Sequence, residues 1–376
     1  MQELATSEWV GVGENRVRLL RDGAQALPAM LAAVSEARSE VVAEFYWWAS
    51  DRTGTKFRDA LAERARAGVK VRAIYDSVGS LWVEDSFFEP LRDAGAQVVE
   101  YHPVSPTSPR FRLDRIFMRD HRKLLVVDGS IGFTGGVNLG DPWAPEAWGG
   151  DNWRDDAVQV QGPAAQELRA IFYETWRRCG LRAPPDLVRL EKQPTMDAWV
   201  LANRSSLGSR RQIRQFYLSK IQRARQRIDI ANAYFVPDRR VRRAIVQAAQ
   251  RGVEVRILIP ERNDQAIVQA AMEHLAASMT RKGVKFWTYP DRMMHGKLAV
   301  IDGSFVTVGS YNLDHLSLRY NLECNLAVLD EVFARQVRAS FEEDLAKSSR
   351  LDVGALRRSP WRRALGWLAY QIRAVL

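Results

Sequence analysis

Two phrases in the chain gather groups able to do chemistry at phosphorus. The first is His121-Arg122-Lys123-Leu124-Leu125-Val126-Val127-Asp128-Gly129-Ser130, running on to Gly135-Gly136-Val137-Asn138. The second is His295-Gly296-Lys297-Leu298-Ala299-Val300-Ile301-Asp302-Gly303-Ser304, running on to Gly309-Ser310-Tyr311-Asn312, with every matching residue 174 positions later. In an extended strand, residues two apart point the same way, so each histidine shares a face with its lysine. Imidazole can be nucleophile, base or acid near neutral pH, and an ammonium suits a phosphate oxygen as a point charge. Two of each are what double displacement needs. One histidine attacks phosphorus while the other protonates the leaving oxygen, then deprotonates the incoming alcohol or water. The lysines, with Asn138 and Asn312, would stabilise charge on the equatorial oxygens.

Asp128-Gly129 and Asp302-Gly303 read as hairpin turns. Gly135-Gly136 and Gly309-Ser310 then return beside the histidines, where small residues would let the backbone approach a ligand. The candidate catalytic residues are His121, Lys123, Asp128, His295, Lys297 and Asp302. Of these, Asp128 and Asp302 are expected to hold the turn and the lobe contact rather than touch substrate. His102, His274 and His315 have no such company and are expected to be structural.

The elements that must position these phrases also come twice. Val17, Leu19 and Leu20 suggest a short strand, and Leu27, Met30, Leu31, Val34 and Ala37 recur at helical spacing. The run Val41 to Trp48 reads as a buried strand, Lys56 to Ala67 as a helix closed by Gly68, and Val69 to Asp76 as another strand. The pattern returns as a helix through Ile213, Tyr217 and Ile221, a strand from Ile228 to Val236, a helix ending at Gly252, and a strand from Val253 to Ile259. Alternating strands and helices predict an α/β fold of two similar lobes, each a mixed or parallel sheet flanked by helices, with the active site at their interface. The expected boundaries are 1–183 and 197–350 for the lobes, a proline-rich linker over 184–196, and a tail over 351–376.

The chain has 376 residues and a net charge of +10. That suits a polyanionic partner, nucleic acid or an anionic membrane, or a generally basic surface. The arginine-rich helix near 209–227 is likewise open between a polyanion-binding face and a solvated outer face. Two cysteines, Cys179 and Cys324, without paired spacing suggest neither a disulfide framework nor a zinc site, and fit a reducing compartment. Asp151, Asp155 and Asp156 lack companion ligands and read as loop and strand carboxylates, so no metal and no cofactor is expected. There is no secretory signal pattern and no apolar run of membrane-spanning length.

The paired HxKx4D phrases resemble the HKD motifs of the phospholipase D superfamily. Asp120-His121-Arg122-Lys123, Gly132-Phe133-Thr134-Gly135-Gly136, Trp153-Arg154-Asp155, Ala233-Tyr234-Phe235-Val236-Pro237-Asp238 and Asn321-Leu322-Glu323-Cys324-Asn325 are similar to its bacterial cardiolipin synthase branch. The resemblance implies two α/β lobes and one metal-free site, with His121 as nucleophile and His295 as acid/base. It also implies that Asp155 and Glu323 hydrogen-bond the imidazoles. The activity implied is transfer of a phosphatidyl group between phospholipids through a phosphohistidine; the alternatives are a hydrolytic phospholipase D, a metal-independent nuclease or a non-catalytic binding module.

Lipid is favoured by Trp47-Trp48, Trp82 and the loop around Trp143 and Trp148, since tryptophan prefers the membrane interface. It is also favoured by a basic amphipathic stretch from Trp361 to Leu376, which suits either an anionic lipid surface or docking on its own domain. The membrane spans that precede the motifs in the branch's best-known members are absent here. The expected partners are therefore anionic phospholipids and a membrane surface, not nucleic acid. The expected location is cytoplasmic, peripheral on the inner membrane's cytoplasmic face, and a monomer suffices because both histidines lie in one chain.

Overall fold

The computed structural model describes residues 8–185, 187, 197–203, 211–354 and 360–372. Most of the expected linker lies outside the described residues, as do Arg210, Arg357, Arg358, Arg373, Val375 and Leu376.

Two eight-stranded sheets form the molecule. The first holds β1 (Val10–Val12), β2 (Asn15–Arg21), β3 (Glu40–Phe45), β4 (Lys70–Asp76), β5 (Gln97–Tyr101), β6 (Lys123–Val127), β7 (Ile131–Gly135) and β8 (Asp156–Gln161). Their order is β1-β2-β8-β7-β6-β3-β4-β5. The second holds β9 (Ala198–Asn203), β10 (Arg227–Asn232), β11 (Glu254–Pro260), β12 (Lys285–Tyr289), β13 (Lys297–Ile301), β14 (Phe305–Gly309), β15 (Glu323–Leu329) and β16 (Ser349–Arg350). Their order is β16-β12-β11-β10-β13-β14-β15-β9. Read from opposite ends seven strands of each order superpose, while β1 and β16 have no counterpart, and β3, β4 and β5 answer to β10, β11 and β12. Those three strands are parallel in each sheet and the other pairings are antiparallel.

Helices cover both faces, which is why β3, β6 and β13 are buried along their whole length and are mostly apolar, interrupted only by Glu40 and Glu44 in β3 and the leading lysines of β6 and β13. The outer face of the first sheet packs on α1 (Asp22–Ser35) and α2 (Arg52–Arg66), with α3 (Glu89–Asp93) beyond. That of the second packs on α5 (Gln212–Arg223), α6 (Arg239–Gln250) and α7 (Ala266–Thr280). Between the sheets lie α4 (Pro163–Arg178) and α9 (Glu331–Lys347), in one apolar core drawn from both lobes, including Val126, Phe172, Val300 and Phe341. Two further helices are α8 (His315–Arg319) and α10 (Pro360–Gln371). Arg214 of α5 is not solvated as the outer-face reading would have it. It pairs with Asp238 at 2.7 Å, and Asp238 in turn caps α6.

Candidate active site

Both HKD strands end their sheet pairing at the lysine. Phe45 is opposite Lys123, and Asn232 opposite Lys297, as the last pairs of their ladders. The strands expected to run to Trp48 and Val236 therefore stop at Phe45 and Asn232. Beyond that point the chain turns out of the sheet and delivers Tyr46, Trp47 and Tyr234 to a cavity of about 760 Å³ between the lobes. His121, His295, Asn138 and Asn312 all line that cavity.

The lobes are stitched beside each histidine by main-chain bonds. The His121 amide donates to Leu322 at 3.0 Å, and the Leu322 amide to Arg119 at 2.9 Å. The His295 amide donates to Arg154 at 2.7 Å, and the Arg154 amide to Met293 at 2.9 Å. Each stitch brings the next residue, an acid, onto the other lobe's imidazole. Glu323 accepts from Nδ1 of His121 at 3.0 Å, and Asp155 from Nδ1 of His295 at 2.7 Å. The pairing is thus crossed, and neither half-site is complete within its own lobe. With Nδ1–H committed to a carboxylate, the lone pair is on each Nε2, and on His295 it has the Lys297 ammonium 3.2 Å away.

Of the small residues after the hairpins, Gly136 and Ser310 serve the acids, and Gly135 and Gly309 make room for the neighbouring strands at Ala157 and Asn325 rather than for a ligand, which corrects the sequence reading. A Cβ on Gly136 would lie 2.1 Å from Asp155 Oδ1, and the Ser310 hydroxyl donates to Glu323. Ser317 donates to Glu323 at 2.7 Å, and the Trp143 indole to Asp155 at 2.8 Å. Trp143 and Trp153 meet the His295 ring, while Tyr46 meets that of His121. Trp48 and Trp143 are buried, so of the tryptophans expected at the mouth Trp82 is the one that projects, 90 % exposed.

Both lysines are buried behind the histidines. Lys123 donates to the His121 carbonyl at 2.6 Å, and Lys297 lies 3.0 and 3.2 Å from the two ring nitrogens of His295. Burial brings Lys123 down to about 7, against the pull of Glu323. Burial likewise lowers Lys297, against Asp155. His121 is brought down to about 4 by burial, with Glu323 opposing. His295 falls well below the usual range through burial and the two lysine charges. Burial works against Glu323 too, but His121 and Lys123 hold it below the usual carboxylate range, whereas burial raises Asp155. Both imidazoles are therefore neutral at pH 7.

Asp128 and Asp302 do not join the histidines. They sit at the far ends of β6 and β13, roughly 20 Å along the strand, in left-handed turn conformations with φ of 50°. The Asp128 carboxylate accepts the amides of Arg38, Ser39 and Glu40 at 2.8–2.9 Å. Asp302 does the same for Arg225, Gln226 and Arg227. Each ties its hairpin to the start of the neighbouring strand within its own lobe, so neither makes the expected lobe contact. Asp128→Asn is expected to lower stability by about 2 kcal/mol, the worth of charge-assisted bonds. Turnover per folded molecule should change less than about three-fold. Urea melts paired with activity would check this, and a hundred-fold activity loss at unchanged stability would contradict it.

Sequence reasoning missed Tyr46 and Arg119, which line the cavity. It also missed Ser317 and the part played by Arg154. Position relative to the motif was the available signal for Arg119, two residues before His121. Among the described residues no group of three or more His, Cys, Asp or Glu side chains could hold a metal ion.

Residues 30–176 and 217–345 match the family described as cardiolipin synthase, PLD-like domain. The cardiolipin synthase A of Pseudomonas putida is 35 % identical over 340 residues, covering 90 % of this chain and 69 % of that protein. Cardiolipin synthase 1 of Bacillus anthracis is 30 % identical over 355 residues, covering 91 % and 68 %. In fold, the chain is similar to the phosphatidylserine synthase of Haemophilus influenzae, with a TM-score of 0.71 at 12 % identity over 99 % of this chain and 97 % of that one. Two topologically equivalent lobes, a histidine and an asparagine from each lining one cavity with a lysine behind each histidine, and these relatives agree: the chain belongs to the phospholipase D-like family of the cardiolipin synthases.

Proposed function

We propose that the protein is a phosphatidyltransferase of the cardiolipin synthase type. The observation that carries this reading is the crossed pair of imidazole–carboxylate units facing one cavity, in a chain a third identical to cardiolipin synthases. His121 Nε2 attacks the phosphorus of a phospholipid such as phosphatidylglycerol. The bond from phosphorus to the headgroup oxygen breaks, and His295 gives that oxygen its proton, releasing glycerol. The glycerol hydroxyl of a second phosphatidylglycerol then attacks the phosphohistidine, returning its proton to His295 while the N–P bond breaks.

What supports this division of labour is the placement of Lys297 against the His295 ring. On its own the lysine charge opposes protonation of His295. An anionic phosphodiester that draws the ammonium onto its own oxygens removes that opposition, so His295 gains an acid's proton when substrate is bound. Glu323, held anionic, orients His121 with its lone pair outward. Asn138 accepts the Trp47 amide at 3.1 Å, which turns its NH2 toward the cavity as a donor to a phosphoryl oxygen.

Incubating the protein with phosphatidylglycerol liposomes and EDTA, and following lipids by mass, tests the reading. Cardiolipin with glycerol is expected; phosphatidic acid alone would make it a hydrolase, and no lipid turnover with cleavage of DNA a nuclease.

The resting charges predict a pH profile. Lys123 must be charged, a state lost as pH rises through about 7, and His121 neutral, a state lost as pH falls through about 4. On a dispersed short-chain donor, kcat/KM should therefore fall on both sides of this window. The alkaline limb of kcat should lie higher, because bound phosphate favours the charged lysine. Coincident alkaline limbs would reject the assignment.

Among the described residues no helix is long and apolar enough to cross a membrane. The donor's chains stay in the bilayer, since each methylene moved into water costs about 0.8 kcal/mol. We propose that the enzyme works peripherally, on the cytoplasmic face of the inner membrane, with one chain supplying every group the reaction needs. The α10 helix contributes to holding it there. It docks on α7 through Gly366 and Ala369, and Tyr370 bonds Arg242 at 2.6 Å. The same helix leaves Trp361, Leu365, Leu368 and Ile372 exposed along one stripe. Truncation before Pro360 should reduce sedimentation with anionic liposomes several-fold, and unchanged binding by the folded truncation would exclude this role.

A further inference from the structure

Among the described residues, exposed large apolar side chains gather around the cavity mouth as well as on α10. Around the mouth they are Leu81 and Trp82 after β4, Leu113 and Phe117 in the loop leading to the first motif, Ile267 in the first turn of α7, and Tyr320 after α8. They come from both lobes, and Phe117 and Tyr320 meet across the boundary with ring centroids 6.5 Å apart. Trp82 lines the cavity itself, Ile267 lies between lining residues Gln265 and Val268, and Tyr320 precedes lining residue Asn321. Leu113 and Phe117 are 74 % and 66 % exposed, four residues apart, with Arg112 exposed and Arg115 half-buried among them.

We infer that this rim is the surface by which the protein docks on an anionic bilayer, with Leu113 and Phe117 entering the boundary between headgroups and acyl chains. Apolar side chains clustered in water signal a covering partner, and although Asp114 pairs with Arg112 at 3.2 Å, Arg110 and Arg115 leave the segment net basic, which fits an anionic lipid surface. The aliphatic members favour a bilayer over nucleic acid, which would need stacking rings throughout. The inference rests on the lipid-transfer reading in one respect. The cavity is lined by polar groups, among them Arg119, Asn138 and Asn312, and by apolar ones, among them Trp47, Val78, Val268 and Leu316, while moving a donor's chains from the bilayer into water costs about 0.8 kcal/mol per methylene. The chains must remain in the bilayer while the phosphate enters, so the mouth must lie against the membrane.

The test compares wild type with Leu113→Asp/Phe117→Asp. The first measurement is sedimentation with phosphatidylglycerol-rich vesicles; the second is turnover of dihexanoyl phosphatidylglycerol below its micelle concentration. Vesicle partition should fall about ten-fold or more, given what burying one such side chain is worth, while turnover of the monomeric donor stays within about two-fold. Full vesicle binding by the variant would overturn the proposal, as would loss of DNA binding in a gel shift with vesicle binding intact. As a check independent of folding, an environment-sensitive dye on Phe117→Cys, in a Cys179→Ser background, should shift on adding vesicles; an unshifted dye on vesicle-bound protein would also overturn it. The function reading fails separately, if wild type turns over neither long-chain nor short-chain lipid whatever the vesicle result.

Discussion

His121→Ala is expected to abolish lipid turnover, by about 10⁴-fold or more, because no other group can supply the covalent step. His295→Ala should fall as far on natural lipid, yet for a different reason, and the two can be separated. With a donor whose leaving group needs no proton, such as phosphatidyl-p-nitrophenol, His295→Ala should still release about one equivalent of nitrophenol. It should then stall as phosphoenzyme, lacking the base that activates the acceptor. His121→Ala should give no burst at all. The crossed acids predict a related exchange. Asp155→Asn should mimic the His295 variant, and Glu323→Gln the His121 variant, because each amide removes the charge that sets the other lobe's tautomer. A burst from His121→Ala, or phosphate label on His295 in the wild type, would reverse the assignment.

The duplication was legible in the sequence because its chemistry is carried by residues with no packing alternative. A histidine, a lysine and an asparagine that recur in register 174 positions apart serve no apolar core, so their repetition points to a shared reaction. The strand and helix alternation followed from buried runs and glycine stops, and the two sheets show it. The strand ends were not legible. Tyr46-Trp47-Trp48 and Ala233-Tyr234-Phe235 continue the apolar run of β3 and β10, and nothing in composition marks where the ladder stops. The marker is the partner strand, which begins at Lys123 and Lys297.

Gly136 misleads for a related reason. A glycine beside a motif suggests room for a ligand, but the group filling that room, Asp155, comes from the next strand pairing. Asp128 and Asp302 show the converse. The Asp-Gly turn signal marks them as turn residues, in keeping with the backbone amides they collect, but the expected lobe contact is not made. Crossing of the acids between lobes could not be read from one chain at all, since it depends on how the two sheets meet.

The same meeting of sheets predicts that Arg154→Met will be the most destabilising single change in the molecule. Arg154 is fully buried, and its guanidinium contacts Asp344 at 2.7 Å, Asp156 at 2.9 Å and Asp22 at 3.3 Å. Methionine has a similar reach, so cavity formation adds little. The loss is the cation that touches all three buried carboxylates, leaving Asp344 to Arg21 and Asp22 to Arg292, and breaking such a cluster typically costs about 3–5 kcal/mol. The sign with pH follows from the carboxylates. Burial already raises Asp156 to about 6, and without Arg154 Asp344 loses the first of the two arginines, Arg154 and Arg21, that hold it below the usual range. Acids raised in the folded state bind protons that the unfolded chain has released, so the variant's stability falls as pH rises through that interval. Its deficit against wild type should be largest near pH 8 and shrink toward pH 5, and Asp344→Asn added to Arg154→Met should restore part of it. Because the Arg154 backbone also carries the stitch to His295, turnover should fall with stability and recover with it in the double variant. A deficit that is flat with pH would mean the three carboxylates find other partners, and the knot between the lobes would then rest on packing rather than on charge.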